Sequence, residues 1–280
     1  MSESINVASK VKSSLVVAVA IASAIIGVVI FFALNIPSNV WGATNSPARQ
    51  GLLYLEALLV FDIPAVMGIY LFSKKIEWLA PPGRYVAGEK KYSILSPYFL
   101  AACAVMAAVE TVIGVSGIAN VDLVAIICAF AAVFFGPLVG FVAPFVAYIL
   151  RWMLGFAPWI TIPAIVPGQA LIDAGVWSIN AILFWTVVRR LKGNTKTIAT
   201  FLFIPVFIAV HATGWLWLNY FTLNPYAAGV ASVLYAIGPT GFYLSTILAV
   251  IFGVLIGQFY YDSRIMAAEV AKTRAKAATE

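Results

Sequence analysis

The sequence predicts an all-α, polytopic membrane helix bundle of about eight transmembrane helices, and three observations predict it. First, 63% of the 280 residues are hydrophobic and only 10% are charged, whereas a soluble domain carries roughly 25% charged residues. Second, the apolar stretches run to about 20 residues, the length that crosses a hydrocarbon core, without the alternation of barrel strands of about 10 residues. Third, basic residues gather in alternate loops, as expected of a chain that threads a bilayer.

Taken in order, the first apolar stretch, 13–34, follows Lys10 and Lys12. It exceeds the roughly 7–15-residue core of a signal peptide, so it reads as a retained span. The second, 51–72, completes an N-terminal two-helix segment (1–72). A basic loop at 73–93, with Pro81, Pro82, Gly83 and Gly88, reads as a cytoplasmic hinge. Six spans follow in the domain 94–261: 94–115, 122–135, 138–154, 169–188, 198–221 and a long 231–261. Residues 262–280 read as a cytoplasmic tail.

The stretch 122–154 admits two readings. One continuous helix would be about 50 Å long, against a hydrocarbon core of ~30 Å. Gly136-Pro137 at its middle is turn chemistry. Charge favours two spans. With two, every one of the 17 Lys and Arg except Arg49 and Arg151 falls on the side of both termini. With one, Arg189, Arg190 and Lys192 would face outward. The expected location is therefore the cell membrane, multi-pass, with both termini cytoplasmic.

The motifs of several function classes are missing. The sequence has no G-x-x-x-x-G-K-[ST] for nucleotide phosphates, no H-E-x-x-H and no G-x-S-x-G. One histidine excludes bis-histidine haem ligation within the chain. Cys103 and Cys128 lie inside apolar runs and read as small core residues. No enzyme activity, metal, cofactor or nucleic-acid partner is expected. The net charge of +6 is a topology signal.

Ionisable side chains inside spans cost about 2.5–3.5 kcal/mol each and are functional candidates by default. They are Glu56, Asp62, Glu110, Asp122, Asp173 and His211, with Arg151 at a span end. The threading puts Glu110, Asp173, His211, Trp215, Asn219 and Tyr243 in the outer half of the membrane, with Gln169 beside them. That is the pattern of a substrate pocket open to the exterior. An interfacial aromatic belt and helix caps would use the same residue types. Small-xxx-small faces occur at Ala104/Ala108, Gly136/Gly140 and Gly253/Gly257, which suit close helix packing.

Residues 94–261 resemble the substrate-binding S component of energy-coupling factor (ECF) transporters. The resemblance rests on the hairpin from Ala129 to Gly140 with its Gly-Pro turn, on Ala104 and Ala108 in an A-x-x-x-A pattern, and on the six-span plan with short second and third helices. It implies a membrane subunit that captures a small organic micronutrient, such as a vitamin or nucleobase-like molecule. It also implies a membrane T subunit, touched by Ala104 and Ala108, and two separate ATPases. The first two spans are extra to that plan. Ser2 stands where the nickel and cobalt members carry histidine, which argues against a metal substrate. The alternative is a proton-coupled secondary transporter without ATPase partners, with Glu56, Asp62, Glu110, Asp173 and His211 as its relay. An intramembrane enzyme or scaffold is a third class, favoured only by the carboxylates.

Overall fold

Backbone in hydrocarbon must satisfy its own hydrogen bonds, and helices do so within one segment. A computed structural model describes residues 13–35, 47–73, 97–115, 123–155, 166–222 and 241–277; the side chains of 32, 34–35, 47–50, 73, 215–222, 241–245, 264–265, 268–269, 271–272 and 275–276 lie outside that description. Helix α1 is Ser13–Asn35. Helices α2 (Pro47–Ala57) and α3 (Ile63–Ser73) are one continuous rod joined by a π turn at Leu58–Asp62. Then come α4 (Pro97–Val115), α5 (Leu123–Phe134), α6 (Pro137–Met153) and α7 (Val166–Val187), which ends in a 3-10 turn at Val188–Arg190. Helices α8 (Gly193–Thr222) and α9 (Gly241–Ala277) complete the described chain.

Among the described residues, six stretches are long and apolar enough to cross a membrane: Ser13–Phe31, Gly51–Phe72, Pro97–Val115, Val166–Arg190, Gly193–Gly214 and Thr246–Ser263. The expected fourth and fifth spans are the short helices α5 and α6, of 12 and 17 residues. At 1.5 Å per residue they measure about 18 and 25 Å, less than the ~30 Å core. Their turn is where the sequence puts it. Gly136 takes φ 94°, a left-handed conformation that favours glycine, and Pro137 opens α6. Val133, three residues before the turn, lies level with Gly257 of α9, where an added Cβ would stand 3.0 Å from Val133 Cβ. Arg189 donates to the Val133 carbonyl, so the hairpin turns at the basic end of the bundle.

Helix α7 is the axis of the bundle. Two thirds (67%) of its spanning window is buried, against 17% for α1 at the periphery. Its small residues admit neighbours closely. Leu53 of α2 packs on Gly168, and Phe61 and Asp62 of the π turn pack on Gly175, where an added Cβ would fall 2.8 Å from the Phe61 carbonyl carbon. The N-terminal helices are therefore fitted to the axis. The expected glycine faces are internal: a Cβ on Gly253 would stand 2.5 Å from the Ile126 carbonyl oxygen and 2.6 Å from Ala129 Cβ of α5. Gly140 sits between Ala132 and the Trp177 carbonyl. Ala104 and Ala108 differ. They lie on an exposed face of α4 with Leu100, Val105 and Val112. Broad exposed apolar faces such as this suit lipid or a membrane partner.

One expected boundary moves. Helix continues through the expected tail as far as Ala277. The hinge at 73–93, Asp122, and the beginning of the expected last span at 231–240 fall outside the described residues.

Candidate functional site

Polar side chains collect around one stretch of α7, from Gln169 to Trp177, about 12 Å of helix. The densest group joins four helices. Glu110 comes from α4, Cys128 from α5, Arg151 from the last turn of α6 and Asp173 from α7. Glu110 is wholly buried, Arg151 is 5% exposed and Asp173 is 6% exposed. Glu110 feels the positive field of Arg151, the Cys128 thiol and the negative field of Asp173. A thiol is a weak donor. Neither Glu110 oxygen has a hydrogen-bond partner of good geometry among the described residues.

Arg151 is held by its stem and its face. Its guanidinium carbon stacks 4.0 Å from the centroid of the Tyr148 ring, three residues back on α6. The Tyr148 hydroxyl accepts from Gln169 Nε2 at 3.0 Å, which ties that ring to α7. Gly114 clears the other side, since a Cβ there would be 2.5 Å from Arg151 Cδ. Arg151 Nε points at the Ala147 carbonyl at 3.4 Å, a long bond, and Nη2 has no partner among the described residues. A carboxyl group and a guanidinium thus lie near one another, yet both keep unused hydrogen-bonding capacity.

Two further polar groups meet α7 nearby. Asp62, 4% exposed, abuts Gly175 from the π turn, and neither of its oxygens has a hydrogen-bond partner among the described residues. The π turn has a local cause. Pro64 has no N–H, and its ring would collide with the Val60 carbonyl in a regular helix. The wider turn relieves this, with Ile63 N–H donating to the Leu58 carbonyl. His211 of α8 lies against Trp177, ring centroids 4.9 Å apart, one turn along from Asp173. Among the described residues no three His, Cys, Asp or Glu side chains converge closely enough to hold a metal ion.

Of the expected site residues, Glu110 and Asp173 are brought together, and His211 joins the same level of α7 at Trp177. The side chains of Trp215, Asn219 and Tyr243 lie outside the described residues. Arg151, noted only as a residue at a span end, joins the same group. Tyr148 and Cys128 were not singled out for the site. Tyr148 was signalled only by its i−3 spacing to Arg151, and Cys128 carried no signal that separates it from a core thiol.

The far end of α7 is differently built. Trp185 Nε1 donates to the carbonyls of Ala132 (3.2 Å) and Val133 (3.0 Å), and Arg189 also donates to Val133. These bonds satisfy carbonyls that the end of α5 leaves without helical donors. Arg189 lies over the Tyr261 ring, 3.2 Å from its centroid. Beside it Asp262 pairs with Lys196 and accepts from Gln258. From Asp173 to Arg189 is about 24 Å along the helix. The charged cluster therefore lies in the half of the bundle remote from this basic end.

Comparison with protein-family models, curated proteins and solved structures finds no match. Fold and site together define a multi-pass helical membrane protein with a buried charged cluster at its centre. The resemblance to ECF S components rests on the sequence features quoted above.

Proposed function

We propose that this chain is a solute-binding membrane subunit of an importer, and that its solute occupies the Glu110–Arg151–Asp173 cluster. One observation carries the reading: Glu110 and Arg151 are buried, opposite in charge and close, yet each keeps polar atoms without partners. Buried polar groups are normally satisfied, and a native exception calls for an unseen partner. A bound solute is that partner in a protein whose other features are those of a membrane bundle.

The finer reading is an ECF-type importer taking up a small organic micronutrient through the cell membrane. Both termini would be cytoplasmic, and eight helices would be embedded, the short α5–α6 hairpin included. The solute would enter at the face remote from the basic end. The exposed Ala104/Ala108 face of α4 gives a T subunit a smooth surface to approach, and two ABC ATPases on separate chains would supply the missing phosphate-binding loop.

A specific observation also favours the proton-coupled alternative. Asp62, buried in a π turn beside the axial helix without a described partner, is the kind of group that a coupling site uses. One experiment addresses both. Small molecules retained by the purified chain are extracted and compared with those from the Glu110→Ala and Arg151→Ala chains, and uptake of an enriched molecule is then measured in cells. The proposal expects a molecule enriched on the wild type and lost from both variants. Uptake that requires the ATPases and persists under a protonophore supports the ECF reading. Uptake by the chain alone in liposomes, driven by a proton gradient, supports the alternative. Equal small-molecule profiles in all three chains would contradict the site.

A further inference from the structure

The π turn beside α7 is short of hydrogen-bond donors, and nothing about it depends on the solute cluster. Asp62 is 4% exposed, and neither of its oxygens meets a donor among the described residues. The main chain around it has the same shortage. Ile63 N–H reaches back five residues to the Leu58 carbonyl, so one acceptor is passed over where α3 returns to the four-residue step. Pro64 has no N–H. It can serve neither the Leu59 carbonyl, in the π register, nor the Val60 carbonyl, in the α register.

Neighbours close on the turn from both sides. A Cβ on Gly175 of α7 would stand 2.8 Å from the Phe61 carbonyl carbon and 3.0 Å from Asp62 Oδ1, and one on Gly27 of α1 would stand 2.5 Å from Val60 Cγ2. Phe61 belongs to an apolar cluster with Leu53, Ala57, Ile172 and Val176. An ionised carboxylate here would add acceptors where donors are already lacking, and would be a bare charge in apolar surroundings. A protonated carboxyl brings one O–H donor. Short polar side chains on a helix bond carbonyls three or four residues back, as the Ser23 hydroxyl does to the Ala20 carbonyl at 2.9 Å. Three residues back from Asp62 is Leu59, whose carbonyl Pro64 cannot serve.

Charged neighbours offer no other solution. Helices α1, α2, α3 and α7 pack on the turn. Helix α1 has no titratable side chain, α2 has Arg49, Tyr54 and Glu56, α3 has Tyr70 and α7 has Asp173. Arg49 stands about 20 Å back along the rod, and none of the described groups acts on Asp62. Asp173 is two residues from Gly175 and so lies on another face of α7. His211 of α8 lies against Trp177, also two residues from Gly175. We infer that Asp62 is a proton-binding site: the folded chain holds a proton there as the donor that the π turn lacks, and this proton locks the N-terminal helix pair against the axial helix. Release of the proton leaves a charge without a counter-charge, so the turn must come away from Gly175 to release it. The lock is the same whichever class of importer the solute site serves.

The test is a linkage measurement on the full chain in mixed micelles. A carboxyl that is ionised in the unfolded chain and protonated in the folded one takes up a proton on folding. Its contribution is fully present below the ordinary carboxylate range, and the folding constant falls about tenfold per pH unit above that range. Other groups titrate as well, so the wild type is compared with Asp62→Asn, whose amide keeps the shape and an N–H donor but does not titrate. Between about pH 5 and 7 the ratio of the wild-type to the variant folding constant is expected to fall by about tenfold per unit. Infrared difference spectra of the two folded chains over the same range should show a protonated-carboxyl stretch in the wild type alone. A ratio independent of pH, or a spectrum in which the variant loses an ionised carboxylate instead, overturns the inference. If Asp62→Asn does not fold, Asp62→Ser, which also keeps a donor, takes its place. Failure of both to fold would show that a donor is not what the turn needs, and overturns the inference too. These variants leave Glu110 and Arg151 untouched, so the solute site stands or falls by its own experiment.

Discussion

Removing Glu110 and removing Arg151 should have opposite effects on stability. Glu110→Met keeps a similar volume and takes away two buried oxygens that have no described partner. A buried unsatisfied polar group costs about 1–3 kcal/mol. Its removal leaves Arg151 with Asp173, one charge of each sign, so the variant should gain about 1–3 kcal/mol. Arg151→Met leaves Glu110 and Asp173, two carboxylates in one buried group, and strips the cover from Tyr148. Removing one partner of a buried charged set typically costs about 3–5 kcal/mol, so this variant should lose that much. Reversible unfolding in mixed micelles, with circular dichroism as readout, measures both in the absence of added solute. A loss of about 2 kcal/mol or more in Glu110→Met would refute the reasoning. It would mean that Glu110 is a structural contact between helices and not a group held ready for a ligand.

Three further outcomes follow from particular contacts. Gly253→Ala should destabilise by about 1–3 kcal/mol, because its Cβ would meet the Ile126 carbonyl oxygen at 2.5 Å; Gly51→Ala, with nothing within 4 Å, serves as the control and should be neutral or gain up to about 1 kcal/mol from helix propensity. Replacing both Ala104 and Ala108 by Trp should leave folding and solute retention intact, since that face is exposed, while uptake in cells is abolished; unfolding of the variant would show that the face packs internally. A cysteine at position 193 should label with a membrane-impermeant reagent from the side of both termini alone; labelling of 193 from the opposite side would overturn the two-pass reading of α5 and α6.

The parts legible in the sequence are those that stand out against an apolar background. Glu110 and Asp173 were found because a charge inside a span is costly whatever surrounds it. The Gly136-Pro137 turn was found because its backbone chemistry is local. Tyr148, which stacks on Arg151, is an ordinary membrane residue, and only the packing of α6 against α7, through its bond from Gln169, gives it a role. The π turn at Leu58–Asp62 depends on how the helix accommodates Pro64, which a kink would also have achieved. The positive-inside pattern counts sides and not depth, so it led to about eight helices without separating the six of full spanning length from the short α5 and α6. The Ala104 and Gly253 faces looked alike as patterns. Whether a small-residue face is buried or exposed depends on the neighbouring helix, which the pattern does not contain.

The most direct measurement is an experimental map of the chain purified from its native membrane, at a resolution that separates side chains around Arg151. The account predicts density between the Glu110 carboxylate and the Arg151 guanidinium that no protein atom explains, with Arg151 still stacked on Tyr148. A closed Glu110–Arg151 ion pair at direct hydrogen-bond distance, with nothing between them, would contradict it.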